Sequence, residues 1–233
     1  VNAVRLVSAA TDSASRAQAL AAALASMLNY VDYVAAARLF EDDIRALPKD
    51  ATTVPHGVAM ARALLALGDS KAAAEWRNLV VSGATPPPEA VRSALDAALV
   101  AAGQGNPETA KVVVERRISL STGLSLKRAS RDVLILQALG VPAPPPATGF
   151  INANPPVPAT AKADAAALAS AVTASQRDAQ GETALYVAMA LANGADKVEL
   201  DSVVTAIQAL RAANMMQAAR TVAVEAMIAS GIS

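Results

Sequence analysis

PHGVAMARALLALGDSKAAAEWRNLVVS, residues 55–82, decides the fold. Two apolar-periodic runs, 55–67 and 70–82, flank Gly68, each with the three-to-four-residue spacing of a helix face. Gly68 stands where a helix wants a left-handed C-terminal residue, which glycine supplies at least steric cost. The stretch reads as two helices joined by a turn too short for anything but an antiparallel hairpin.

The same punctuation continues outward. Gly83, Gly103, Gly140 and Gly194 each follow an apolar run. Asn106–Pro107–Glu108 is a helix start: Asn caps, Pro occupies a position whose missing N–H is harmless, and Glu opposes the dipole. Ser15 with Gln18, and Asp196 with Glu199, have capping-box spacing. No segment alternates with period two for long enough to argue a strand. Helices are expected over 13–28, 33–47, 55–67, 70–82, 88–102, 107–119, 126–139, 161–176, 181–193, 197–212 and 215–230.

Composition agrees. The 233-residue chain is 54% hydrophobic and only 3% aromatic, with alanine supplying much of the apolar content. Alanine loses no rotamer freedom in a helix and lets helices approach closely. Aligning the second helix of each hairpin gives a frame in which Tyr33, Ala36, Phe40 and Pro48 match Ser70, Ala73, Arg77 and Thr85. Pro107, Ala110 and Val114, then Met216, Ala219 and Ala223, occupy the same positions. Ala36, Ala73 and Ala110 are spaced 37 residues apart, and Ala219 follows Ala110 by 109. A small residue at each crossing lets two backbones approach to roughly 8 Å. No hairpin buries both faces alone, so neighbours must stack.

On these residues the chain resembles a tetratricopeptide-repeat protein. Asp32–Tyr33–x–x–Ala36–x–x–x–Phe40 with Pro48 is similar to the second half of such a repeat. Leu64–x–x–x–Gly68–Asp69–x–x–x–Ala73 is similar to its turn and flanking helices, and Leu210–x–x–x–Asn214 with Ala219 and Ala226 has Asn for Gly. The large aromatic expected early in the first helix is absent, with Gly57, Ala94 and Ser202 near those places. The resemblance implies an all-α, right-handed α-solenoid of antiparallel hairpins whose concave face binds a peptide or protein.

Residues 141–158, VPAPPPATGFINANPPVP, interrupt the rhythm with seven of the thirteen prolines. Because proline lacks the amide hydrogen and biases its predecessor toward extended geometry, no helix is expected here. The organisation expected is tetratricopeptide-like hairpins over 1–140, a Pro-rich strap or linker over 141–159, and further hairpins over 160–233. The strap reading has the segment extended and docked, anchored by Phe150 and Ile151.

Function classes are narrowed mainly by what is missing. Twenty basic and twenty acidic side chains cancel, so no field for counterion release from nucleic acid exists. With two Phe, one Trp and three Tyr, a base-stacking or sugar platform is not expected either. Cysteine is absent. His56, the one histidine, falls at a helix start, where a nucleophile–base pair has nothing to work with. Glu41, Asp42 and Asp43 point in different directions on a helix and do not converge on a metal. Gly103–Gln104–Gly105–Asn106 lacks the lysine and preceding strand of a phosphate loop. Met215–Met216 reads as core filling. No cofactor, metal, small-molecule substrate or transmembrane segment is expected, although mean hydropathy is positive at +0.34.

One polar group stands out: Arg116, Arg117, Lys127, Arg128 and Arg131. Arg117 and Lys127 flank the Gly123 turn, which brings these charges toward each other and toward an acidic segment of a protein partner. The alternative is that they complement helix ends and stay solvated. Charged residues make up 17%, against roughly 25% in an ordinary globular protein, as expected if a partner covers part of the surface. The expected role is a non-catalytic scaffold in a larger bacterial assembly. The alternative is the superhelical accessory region of an envelope enzyme, such as a lytic transglycosylase, with catalysis elsewhere. A Cys-free, Ala- and Pro-rich chain suits the periplasm or cell envelope, and the cytoplasm as well. Val1 is compatible with a leader removed ahead of it.

Overall fold

The computed structural model describes residues 2–27 and 33–229, with the side chains of residues 4–27 and 33–228. Within them lie fourteen α-helices and no strand. Asp32, which opens the Tyr33 frame, and the expected helix ends at 28 and 230 lie outside the described residues. The chain divides into two compact units, residues 1–88 and 89–233. The 141–159 segment, expected to join 1–140 to 160–233, lies within the second.

The first unit holds α1 (Asn2–Ala9), α2 (Ser13–Met27), α3 (Tyr33–Leu39), α4 (Glu41–Ala46), α5 (Gly57–Ala66) and α6 (Ser70–Ser82). Too short to display a periodicity, α1 was not anticipated. The box expected at Ser15 and Gln18 is displaced: Asp12 caps α2, accepting from the Ser15 N–H at 2.9 Å and the Ser15 hydroxyl at 2.7 Å. The expected 33–47 helix breaks at Phe40, which is buried. The chain restarts at Glu41, where three consecutive acids occupy the positive end of a new helix.

Between α5 and α6 the hairpin read from residues 55–82 forms as expected. Gly68 has φ +80, and the Asp69 N–H returns to the Leu64 carbonyl at 2.8 Å. Asp69 then caps α6, accepting from the Ala72 N–H at 3.1 Å while binding Arg45 at 2.6 Å. The missing aromatic of the first helix has a local explanation. Trp76 of α6 is 1% exposed, and a Cβ on Gly57 would stand 3.0 Å from its ring and clash with Val80. The second helix thus supplies the ring and the first supplies the vacancy for it.

The second unit holds α7 (Glu89–Ala101), α8 (Pro107–Ser119), α9 (Ser125–Ala138), α10 (Ala147–Ala153), α11 (Ala165–Ser175), α12 (Gln180–Ala190), α13 (Leu200–Ala212) and α14 (Met216–Ala229). The closure seen after Leu64 returns four times. Gln104 N–H bonds Leu99 O at 2.9 Å, Val141 bonds Leu136 at 3.0 Å, Ala179 bonds Ala174 at 3.1 Å and Met215 bonds Leu210 at 2.8 Å. Each precedes its donor with a left-handed residue: Gly103, Gly140, Asp178 and Asn214. The accepting carbonyls stand at 64, 99, 136, 174 and 210, intervals of 35, 37, 38 and 36 residues. Each closure is of the Schellman kind, and their spacing is consistent with a helical-repeat arrangement whose period exceeds the 34 residues of a tetratricopeptide repeat.

Stacking in this unit departs from strict chain order. The α7–α8 hairpin packs on α9, and α11–α12 packs on α13, as nearest neighbours should. However, α13 also packs on α9, and α14 packs on both α9 and α7. The second helix of the α9 repeat is only the seven-residue α10, so α14 covers α9 where a longer partner would have lain.

That α10 exists corrects the expectation of an extended strap. The prolines at 142, 144–146 and 155, 156 and 158 bracket a proline-free run, 147–154. A proline run just before a helix costs nothing, because the first-turn N–H groups have no intrahelical acceptor. Ala147 and Pro144 are buried, whereas Phe150 and Ile151, the expected anchors, are half-buried. Farther on, the Thr160 and Ala161 N–H groups both reach the Lys197 carbonyl at 3.0 Å. The capping box expected at Asp196 and Glu199 is also absent. Glu199 accepts instead from the Ala163 N–H at 3.1 Å, tying the lead-in of α11 to that of α13.

The alanine frame holds at its small positions: Ala36, Ala73, Ala110 and Ala219 are all buried. Overpacking such a crossing costs about 1–3 kcal/mol. Ala73→Leu should therefore lower the thermal midpoint measured by circular dichroism, while Ala165→Leu, at an exposed position, should leave it unchanged. Asp69 gives a second test. Arg45 first, and then the Ala72 N–H, hold its carboxyl below the ordinary value of 3.8. A depressed folded pKa means the stabilisation is complete above the unfolded value and is lost as pH falls through the folded one. Asp69→Ala should cost about 1 kcal/mol at neutral pH, and urea titrations should show the gap closing in acid.

Candidate partner-binding site

Three of the five basic residues, Lys127, Arg128 and Arg131, lie on the first half of α9. Asn106 starts the preceding α8 as expected, its side-chain oxygen accepting from the Thr109 N–H at 2.9 Å. Arg116 and Arg117 fall in the last turn of that helix, and the chain turns at Gly123 into Lys127, Arg128 and Arg131. Once there, the five side chains do three different things.

Arg117 and Arg131 are buried. Arg117 donates from Nε to Asp132 at 2.8 Å and from Nη1 to the Ser121 hydroxyl at 3.2 Å. Burial pushes the Asp132 carboxyl above its ordinary value, and the Arg117 charge opposes that rise. Removed from water, each of these ions depends on the other. Arg131 bonds carbonyl oxygens instead: Ala226 at 3.3 Å through Nε, Ala195 at 2.9 Å and Asp196 at 3.5 Å through Nη2. It thereby links α9 to α14 and to the turn before α13. Desolvation lowers its pKa, with the charges of Asp132 and Asp196 opposing.

Arg116 is exposed and pairs with Glu89 at 3.3 Å, away from the others. Lys127 is exposed and Arg128 half-buried. Together with Arg131 and Asp196 they line a cavity of about 240 Å³, whose remaining wall is Val157, Pro158, Ala159 and Thr160. The structure thus brings together three of the five basic residues. It adds Asp196 and the 157–160 wall, which no local pattern in the sequence links to α9, since they lie roughly thirty or more residues farther along the chain.

A second concavity, about 460 Å³, lies between α11 and α13, the first helices of their hairpins. Leu168, Ala169 and Val172 contribute its apolar part, with Lys162, Glu199, Ser202 and Thr205 among the polar lining. On the same hairpin, α12 packs on α11 and α13 and turns Leu185, Ala188 and Met189 outward, all exposed. No charged residue occurs in α11, and Glu182 is the one charge in α12.

The other groups considered for chemistry stay apart. His56 is half-buried, ending a 3₁₀ turn at Val54–His56. Glu41 pairs with Arg45 at 3.0 Å. Residues 103–106 form the α7–α8 turn. Met216 is exposed, not core filling as expected, and Met215 is half-buried. Among the described residues no three acidic or histidine side chains are grouped to hold a metal, and no helix is long and apolar enough to cross a membrane.

The buried pair yields a test. Removing one partner of a buried ion pair costs about 3–5 kcal/mol, so Asp132→Ala should sharply lower the urea midpoint. Replacing both ions, as in Arg117→Leu with Asp132→Leu, should recover much of that loss, because no unpaired charge is left inside.

No protein-family model, curated protein or solved structure shows a significant match to this chain.

Proposed function

We propose that the chain is a non-catalytic, tetratricopeptide-like scaffold module that binds a protein partner within a larger bacterial assembly, associated with the periplasm or cell envelope. The observation that carries this reading is the surface of the α11–α12 hairpin. An outer helix of a repeat stack needs a polar outer face to stay soluble. Here α12 presents Leu185 and Met189 one turn apart, 60% and 49% exposed, on a helix whose one charged residue, Glu182, is paired with Arg177 of the preceding turn. Apolar residues grouped this way mark a contact surface, and the low charge content of the chain falls in part on this hairpin. The adjoining α11–α13 groove runs between first helices, the face on which helical repeats receive extended segments. Placement in the envelope rests on the cysteine-free, Ala- and Pro-rich composition.

Crosslinking mass spectrometry in the native source tests this. Leu185→Glu with Met189→Glu alters only exposed positions, so the thermal midpoint should hold while crosslinks to the partner disappear. Persistence of the same crosslinks in the double variant would reject the surface.

A further inference from the structure

The cavity at the start of α9 has a property that the scaffold reading does not require. Arg131 is 8% exposed, yet among the described residues it makes no ion pair. Its hydrogen bonds there are to neutral carbonyl oxygens and use Nε and Nη2, not Nη1. The charges of Asp132 and Asp196 act on it without direct contact, and a carboxylate is the natural complement of a guanidinium with a donor to spare. Exposed Lys127 lines the same cavity, together with Arg128 and one carboxylate, that of Asp196.

Size and lining decide what fits. About 240 Å³ is below the roughly 300–1,000 Å³ of small-molecule sites, but sufficient for one side chain. Val157 and Pro158 provide apolar wall for methylene groups, and Val157 is itself 60% exposed. We propose that this cavity receives the carboxylate of an acidic side chain carried on an extended segment of a partner protein. This rests on the partner-binding reading and names the chemistry that one part of the partner must have. The segment would lie beside residues 157–160, which the Thr160 and Ala161 bonds to Lys197 hold in place.

The test uses the full chain and a fluorescein-labelled Gly/Ser/Glu peptide, its Gln counterpart, and inorganic phosphate, all at low ionic strength. Fluorescence anisotropy should show binding of the Glu peptide, weakened by salt, and none of the Gln peptide. Lys127→Glu should weaken it at least about tenfold, and Thr160→Glu, which places a carboxylate of the chain itself at the cavity, should do the same. Both positions are exposed, so unchanged melting curves exclude misfolding. Equal binding of the Glu and Gln peptides, or binding indifferent to both variants, would overturn the proposal. So would phosphate binding without peptide binding, which would assign the cavity to a small anion. If the peptide result fails while the Leu185/Met189 variant still loses the native partner, the scaffold reading stands and the cavity assignment falls.

Discussion

Burying three charged side chains around one helix is the constraint on which the second unit depends. α9 is packed by α7, α8, α13 and α14, and it carries Arg131 and Asp132 inside. Neither can be desolvated alone. Asp132 draws Arg117 inward from α8, and Arg131 requires carbonyls that belong to α14 and to the turn before α13. Arg211 of α13 returns the tie, donating to the Ala138 carbonyl at the end of α9 at 2.6 Å. The last hairpin is therefore joined to α9 by directional bonds as well as by alanine-lined packing. Polar contacts of this kind can select one arrangement among several of similar apolar burial.

That arrangement explains the departure from serial stacking. A repeat array with a full second helix after α9 would have covered it from within the repeat. With α10 reduced to seven residues, α9 keeps an apolar flank that α14 covers. The small residues of α14, Ala219, Ala223 and Ala226, are fully buried, as close helix packing requires. The cavity proposed as a carboxylate site is a by-product of the same geometry, since it forms where α9, the turn before α13 and the 157–160 segment meet.

Much of the local structure was legible. Gly68, Gly103, Gly140 and Gly194 do take positive φ, and Asn214 does so in place of Gly, because left-handed closure is a property of single residues. Gly83 does not: its φ is −70. Misreadings arose where a tertiary partner competed for a local signal. Glu199 had the spacing of a capping residue but bonds Ala163 across 36 positions. Ser15 matched a box that Asp12, with a carboxylate one turn earlier, already occupied. Proline density concealed α10 because count mattered less than position. The prolines stand ahead of and behind the helix, not within it.

The sequence by itself determined an all-α chain of alanine-lined hairpins with a small residue recurring at 37-residue intervals, because helix propensity, capping and left-handed turns are short-range. It also marked the five basic residues, but it could not sort them. Whether an arginine is a solvated charge, a core brace or the wall of a site depends on which distant carboxylates and carbonyls surround it. Arg116 and Arg117 are adjacent, yet one is exposed beside Glu89 and the other is buried on Asp132. Consecutive residues on a helix point about 100° apart, and only the packing of α9 against α8 decided which of them faced the interior.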